Sequence, residues 1–287
     1  MKLQTPVDIE RLRIGISYKD SIVVLGSCFA DNIGEKMEEA GFDVCVNPFG
    51  TLYNPVSLSN AISRLSSGAL FTEEECVEMG ANAGKICSFS HHTSFARSTS
   101  SEFLENANAS LSDASACWKG SSKVIITLGT AWCFRFNETG ETVANCLKRP
   151  AAEFTRYRLD EEKVFGILSR MIKRNQDKEF IFTVSPVRHL ADGAHLNQIS
   201  KSTLLLAVDS LCREFPESCE YFPSYEIVMD ELRDYRFYAE DMVHPSAQTV
   251  GYIWERFLET ALPQEERVIY DAKMKLFKAS RHRSNLL

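Results

Sequence analysis

Three side chains of this chain have the types and spacing of a hydrolytic triad. Ser27 follows the apolar run Ile22-Val23-Val24-Leu25-Gly26, and Asp241 and His244 stand three residues apart near the other end. A serine hydroxyl is a weak nucleophile until a base takes its proton, and the base works best when a carboxylate fixes its tautomer and stabilises its cation. The Asp-x-x-His spacing places both side chains on one side of a turn. Pro245 then restricts His244 to extended backbone, and Ser246 caps the helix that follows. Each piece also has a plainer reading: Gly26-Ser27 as a turn with a helix cap, Asp241 to Pro245 as an ordinary helix start.

Other reactive groups compete for the role. Cys28 would stand near a helix amino end, where thiolates are activated, although cysteine commonly serves as a small buried hydrophobe. His91, His92, His189, His195 and Asp241 carry metal-ligand chemistry, but their spacings match no zinc motif; a serine mechanism requires neither a metal nor an organic cofactor, and none is expected. Gly80-Ala81-Asn82-Ala83-Gly84-Lys85 has one spacer too few for a phosphate loop and Ile86 where Ser or Thr is required. Trp132, Phe89 and Phe95 suit either an apolar or sugar-stacking wall or the core.

The elements that must position the triad alternate. A strand over 22–25 breaks at Gly26 and yields to helical spacing at Ile33, Met37 and Ala40, stopped by Gly41. Ser27 then sits at a strand's carboxyl end and a helix's amino end, where backbone N–H groups favour developing negative charge. A strand over 43–46 enters the irregular stretch Asn47-Pro48-Phe49-Gly50-Thr51-Leu52-Tyr53-Asn54-Pro55. Helical faces follow at Leu58, Ala61, Ile62 and Leu65, and at Phe103, Ala107, Leu111, Ala114 and Trp118; between them, 66–100 resists assignment. A third strand over 124–128 ends in Gly129-Thr130-Ala131-Trp132 and is followed by a hairpin of 133–136 with 142–146. A helix over 160–175, a strand over 180–184, a Leu-rich helix over 202–215, a fifth strand over 225–229 and a helix buried through Val250, Ile253, Trp254, Phe257 and Leu258 complete the pattern. Such alternation predicts an α/β fold with a parallel sheet covered on both faces, its ligands bound beyond the strands' carboxyl ends.

With 287 residues, 44% of them hydrophobic, the chain can build a sizeable core. The expected organisation is a single α/β domain over 1–263 with a polar N-terminal arm on its surface, then a basic tail or helix over 264–287. A net charge of -7 argues against nucleic acid or an anionic membrane as the main partner. Nine cysteines without a CxxC pair read as reduced thiols, and neither a signal-peptide pattern nor a run of roughly 20 apolar residues is present, so the cytoplasm is the expected compartment.

Gly26-Ser27-Cys28-Phe29-Ala30 spells the signature of the GSCFA family, which the chain resembles over roughly 20–260, and the arrangement is similar to the wider SGNH (GDSL-like) hydrolase superfamily. Asn47 to Pro55, Leu128 to Trp132, Ser185-Pro186-Val187-Arg188-His189 and Asp241 to Pro245 carry the rest of the resemblance. It implies a three-layer flavodoxin-like fold with sheet order 2-1-3-4-5 and a hairpin insertion after strand three. It also implies Ser27 as nucleophile, His244 as general base and acid, Asp241 as its orienting partner, and the N–H groups of Ser27 and Gly50 as oxyanion donors. The superfamily's third donor, an asparagine after strand three, has no match; Thr130 and Asn145 are the substitutes within the chain. The superfamily's usual aspartate before the nucleophile is replaced by Gly26. The implied activity is that of an esterase on a small acyl ester or acylated carbohydrate, through an acyl-serine. An acyltransferase of the same mechanism and a catalytically weak binding protein for such ligands are the alternatives.

Overall fold

Ile22, Val23, Val24 and Leu25 are all fully buried, which a strand achieves only when both faces of its sheet are covered. Their side chains alternate: Val23 and Leu25 join one apolar cluster, Ile22 and Val24 the other. The structure, a computed structural model, describes residues 5–80 and 84–284, the last four without their side chains. Residues 81–83 of the glycine-rich stretch and the side chains of Arg281 and Arg283 in the basic tail therefore lie outside the described residues.

In chain order, β1 (Ser21–Gly26), α1 (Cys28–Glu39), β2 (Asp43–Val46) and α2 (Pro55–Ser67) come first. Two short strands, β3 (Val77–Glu78) and β4 (Ile86–Cys87), precede α3 (Ser100–Gly120) and β5 (Lys123–Leu128). Next are β6 (Trp132–Phe136), β7 (Thr142–Val143), β8 (Phe154–Arg158), α4 (Glu161–Arg174), β9 (Glu179–Val184) and α5 (Gly193–Glu214). Then β10 (Cys219–Tyr221), the short α6 (Ser224–Glu226), α7 (Ala247–Ala261) and α8 (Arg267–Ser284) close the chain.

The central sheet is parallel throughout and runs β2-β1-β5-β9-β10, so all its carboxyl ends share one edge. Counted over every described strand the order is 2-1-5-9-10, which differs from the expected 2-1-3-4-5, because two small antiparallel sheets interrupt the chain. The pair β3-β4 comes before β5, and the sheet β7-β6-β8 comes between β5 and β9. The predicted hairpin is present as β6 and β7, and β8 adds a third strand that the sequence pattern did not reveal. The result is an α/β fold consistent with a flavodoxin-like layout.

Leu58, Phe103, Val164 and Leu204, from α2 to α5, belong to the cluster on one face; Phe29 of α1 and Ile253 of α7 belong to the cluster on the other, with Tyr270 of α8. The predicted faces of α2, α3 and α7 are all buried. The N-terminal arm sinks Ile14 and Ile16 into the second cluster, tied by Leu12 N–H to Thr260 O and Ile16 N–H to Ala261 O. The fifth strand is misplaced by the sequence: it lies at β10, and 224–231 is helical. Tyr225, Ile227 and Met229 suggest a period of two, but the residues actually buried include Ser224, Tyr225, Ile227, Val228 and Glu231, a helical recurrence. No helix among the described residues is long and apolar enough to cross a membrane.

Candidate active site

The Ser27 turn is built so that little about it can change. Gly26 has φ +147°, and a Cβ there would lie 2.3 Å from Thr127 O on β5. This explains why glycine, and no side chain, precedes the serine. Gly26 N–H donates to Asn47 Oδ1 at 2.8 Å, and Asn47 Nδ2 donates to Asp31 Oδ1 at 2.5 Å. Asn47, itself at φ +40°, thus ties the end of β2 to both the turn and α1. Ser27 is extended at φ −70°, ψ 177°, 2% exposed, and its Oγ accepts from Phe29 N–H at 3.3 Å as the cap of α1. Oγ makes no direct hydrogen bond to His244.

The Asp-His pair is formed. His244 Nδ1 and Asp241 Oδ2 are 2.6 Å apart, and Asp241 Oδ1 accepts from the N–H groups of Val243 and His244, each at 2.9 Å. The backbone N–H of His244, that of Val243 and then the imidazole hold the Asp241 carboxyl at about 2. With Nδ1 bound to the carboxylate, the Nε2 side of the ring is the one left to take a proton. Arg188 N–H donates to Val243 O at 3.2 Å. That bond docks the 241–244 loop on the segment leaving the carboxyl end of β9, on the edge where β1 delivers Ser27.

The expected oxyanion donors are less free. Ser27 N–H donates to Thr127 O at 3.2 Å and Gly50 N–H to Asn47 O at 2.7 Å. Gly50, at φ +76°, also has His92 packed where a Cβ would go, 2.4 Å from that residue's own Cβ. Thr130 turns inward: its hydroxyl is 3.1 Å from Ser200 Oγ on α5 and accepts from Trp132 N–H, while its own N–H donates to Tyr53 O. Asn145 Oδ1 accepts from Leu147 N–H within its own turn. Neither side chain hydrogen-bonds to the Ser27 turn.

The other candidates separate. Burial first, then Asp31, raises the Cys28 thiol, which disfavours a thiolate there. His91 is packed among Phe49, Phe71, Phe95 and Phe103, with Nδ1 on Ser88 Oγ, and burial pushes it down to about 3. His195 lies exposed on α5. Among the described residues no three His, Cys, Asp or Glu side chains gather as a metal site would require.

One residue at this edge escaped the sequence reading altogether. Lys201 of α5 is 1% exposed, and its Nζ donates to Gly129 O and Ser185 O, both at 2.7 Å. It bridges the carboxyl ends of β5 and β9, with no carboxylate partner among the described residues. Burial, then Arg188, lowers it to about 7. His189, whose N–H is held by Asn197 Oδ1 at 2.7 Å, is lowered by desolvation and then by Lys201, with His244 also acting on it. The signal was present: Asn197, Lys201, Leu204, Val208 and Leu211 recur at helical spacing, so Lys201 lies on the buried stripe of α5.

With this geometry in hand, the family model described as "GSCFA family" matches residues 21–257. The chain belongs to the GSCFA family. No curated protein matches it. The GSCFA match begins with β1 and ends within α7. It therefore takes in both the Ser27 turn and the Asp241-His244 pair.

Proposed function

We propose that this GSCFA chain is a serine hydrolase of the SGNH type that cleaves a small acyl ester or an acylated carbohydrate through an acyl-serine intermediate. The observation that carries the reading is the 2.6 Å Asp241-His244 hydrogen bond at the sheet edge onto which Ser27 opens. His244 takes the Ser27 proton as Oγ adds to the ester carbonyl, and returns it to the alcohol as the acyl bond breaks. Water, activated by the same imidazole, then releases the acid. Ser27 N–H and Gly50 N–H receive the oxyanion in competition with Thr127 O and Asn47 O, and the longer Ser27 bond yields first. The cleft of about 760 Å³ lined by Phe49, Phe71, Phe89 and Phe136 reaches none of Ser27, Gly50, Asp241 and His244, so those aromatic walls are no part of the reacting site.

A second reading has its own observation. Because both peptide donors are already engaged, a weakly catalytic protein that binds acylated ligands fits the resting geometry. Turnover of p-nitrophenyl acetate decides between them. The hydrolase reading expects turnover that falls by at least about 10³-fold in both Ser27→Ala and His244→Ala. Equal turnover in wild type and variants overturns it, and ligand binding that survives Ser27→Ala with no turnover in any form establishes the rival.

A further inference from the structure

Arg188 is a cation with almost nothing to hold. It stands on the segment that leaves the carboxyl end of β9 and is only partly exposed. Its Nε is sealed from solvent with no hydrogen-bond partner among the described residues, and its Nη1 donates to Met229 Sδ at 3.1 Å. A thioether is a weak acceptor, whereas a guanidinium carries five donors in a planar fork that matches a carboxylate. Tyr238 shares that sulfur, its hydroxyl lying 4.0 Å from the same Sδ. Two strong donors thus converge on one poor acceptor. Carboxylates near the site are engaged elsewhere: Asp192 with Arg156, Glu226 with Tyr221, Asp230 with Arg233 and Asp241 with His244. Because desolvating a cation without an anion is costly, the site is short of one negative charge.

Both donors are fastened to the base. Arg188 N–H donates to Val243 O, and Tyr238 pairs in an antiparallel bridge with Pro245, so backbone contacts on either side of His244 hold them. Burial raises the Tyr238 hydroxyl, which keeps it a donor at neutral pH, although Arg188 opposes the shift. Lys201 adds no second charge for a ligand, since its Nζ is spent on Gly129 O and Ser185 O. A single guanidinium suits a monoanion. We infer that Arg188 and Tyr238 form a carboxylate-binding subsite beside His244, and that the ester accepted here carries a free carboxylate in addition to its reacting acyl group. The inference rests on the hydrolase reading for the ester, and on the unmet donors of Arg188 for the charge. Arg188 then sets specificity between acidic and neutral esters and takes no part in bond cleavage.

The test compares two matched pairs of esters. Mono-p-nitrophenyl adipate against its methyl ester places the carboxylate on the acyl side, and 4-acetoxybenzoate against its methyl ester places it on the alcohol side. In at least one pair the wild type should show kcat/KM at least about 10-fold higher for the acid. That ratio should collapse toward one in Arg188→Gln, persist in part in Arg188→Lys and fall by less in Tyr238→Phe. No preference in either pair, or a preference that Arg188→Gln leaves intact, overturns the subsite while leaving the hydrolase reading standing. If the wild type turns over none of the four esters, ligand-observed NMR with the uncleaved adipic acid monoanilide and 4-methoxybenzoate decides. Affinity for either that drops at least about 10-fold in Arg188→Gln supports the subsite and sinks the hydrolase reading. Absent binding, or equal affinity in both proteins, overturns the subsite as well.

Discussion

The two halves of the proposed machinery stand on segments that leave the same edge of the sheet and are made in opposite ways. Ser27 is held by the fold itself: a glycine with no room for a side chain, a carboxamide tying β2 to α1, and a cap on a buried helix. Asp241 and His244 are held by each other. Their side chains are 50% and 45% exposed, their bonds are local, and Arg188 N–H to Val243 O is the contact to the sheet's outgoing segments that fixes the loop. A nucleophile fixed by the sheet and a base carried on a surface loop separate stability from activity, so substitutions on the two sides should fail differently.

The sharpest break is on the loop. In Asp241→Asn the neutral amide no longer selects the imidazole tautomer or stabilises its cation, and kcat should fall by about 10⁴-fold. The melting temperature should scarcely move, since the pair is half exposed; steady-state kinetics beside a thermal melt checks both. On the other side, Gly26→Ala forces a Cβ against Thr127 O and an L-residue into φ +147°. About 3 kcal/mol or more of stability should be lost, read from denaturant midpoints, if the variant folds at all.

Lys201 sharpens the comparison, because it belongs to the fixed side and bridges the segments that leave β5 and β9. Burial holds its ammonium at about 7 in the folded chain, below the ordinary 10.5 that it regains on unfolding. Between these the unfolded chain binds more protons, so wild-type stability should rise from pH 7 toward pH 10, by about 1.4 kcal/mol at most for each step of one in pH. Lys201→Met should lack that slope, and denaturant midpoints at pH 7 and at about pH 9.5, still inside that window, measure it. Parallel behaviour of the two proteins would contradict a buried cation that sheds its proton on folding. The smallest effect is expected at Met242, exposed on the loop at φ +58°. In Met242→Gly, relief of the left-handed backbone offsets the added freedom of the unfolded chain, and stability should change by less than about 1 kcal/mol in a thermal melt.

Where the sequence is readable follows the same division. The buried strand ending at Gly26 and the apolar faces of α2, α3 and α7 are periodic, and periodicity survives translation into burial. The Asp-x-x-His-Pro spacing is local, so its hydrogen bonds can be anticipated. What cannot be read depends on contacts far apart in the chain: Asn47 reaching Gly26 and Asp31, Thr130 turning to Ser200, and β8 joining β6. The 225–229 segment reads as a strand because three alternating apolar residues also fit a helix turn when the residues between them are buried. Lys201 looks like a surface charge, although its place in the stripe of α5 marks it as buried.

The most direct measurement is to map the adduct of a fluorophosphonate on the intact protein. Modification confined to Ser27, and slowed by orders of magnitude in His244→Ala, is the predicted result. An adduct elsewhere, or labelling of Ser27 at the same rate with and without the imidazole, would contradict a nucleophile served by that base.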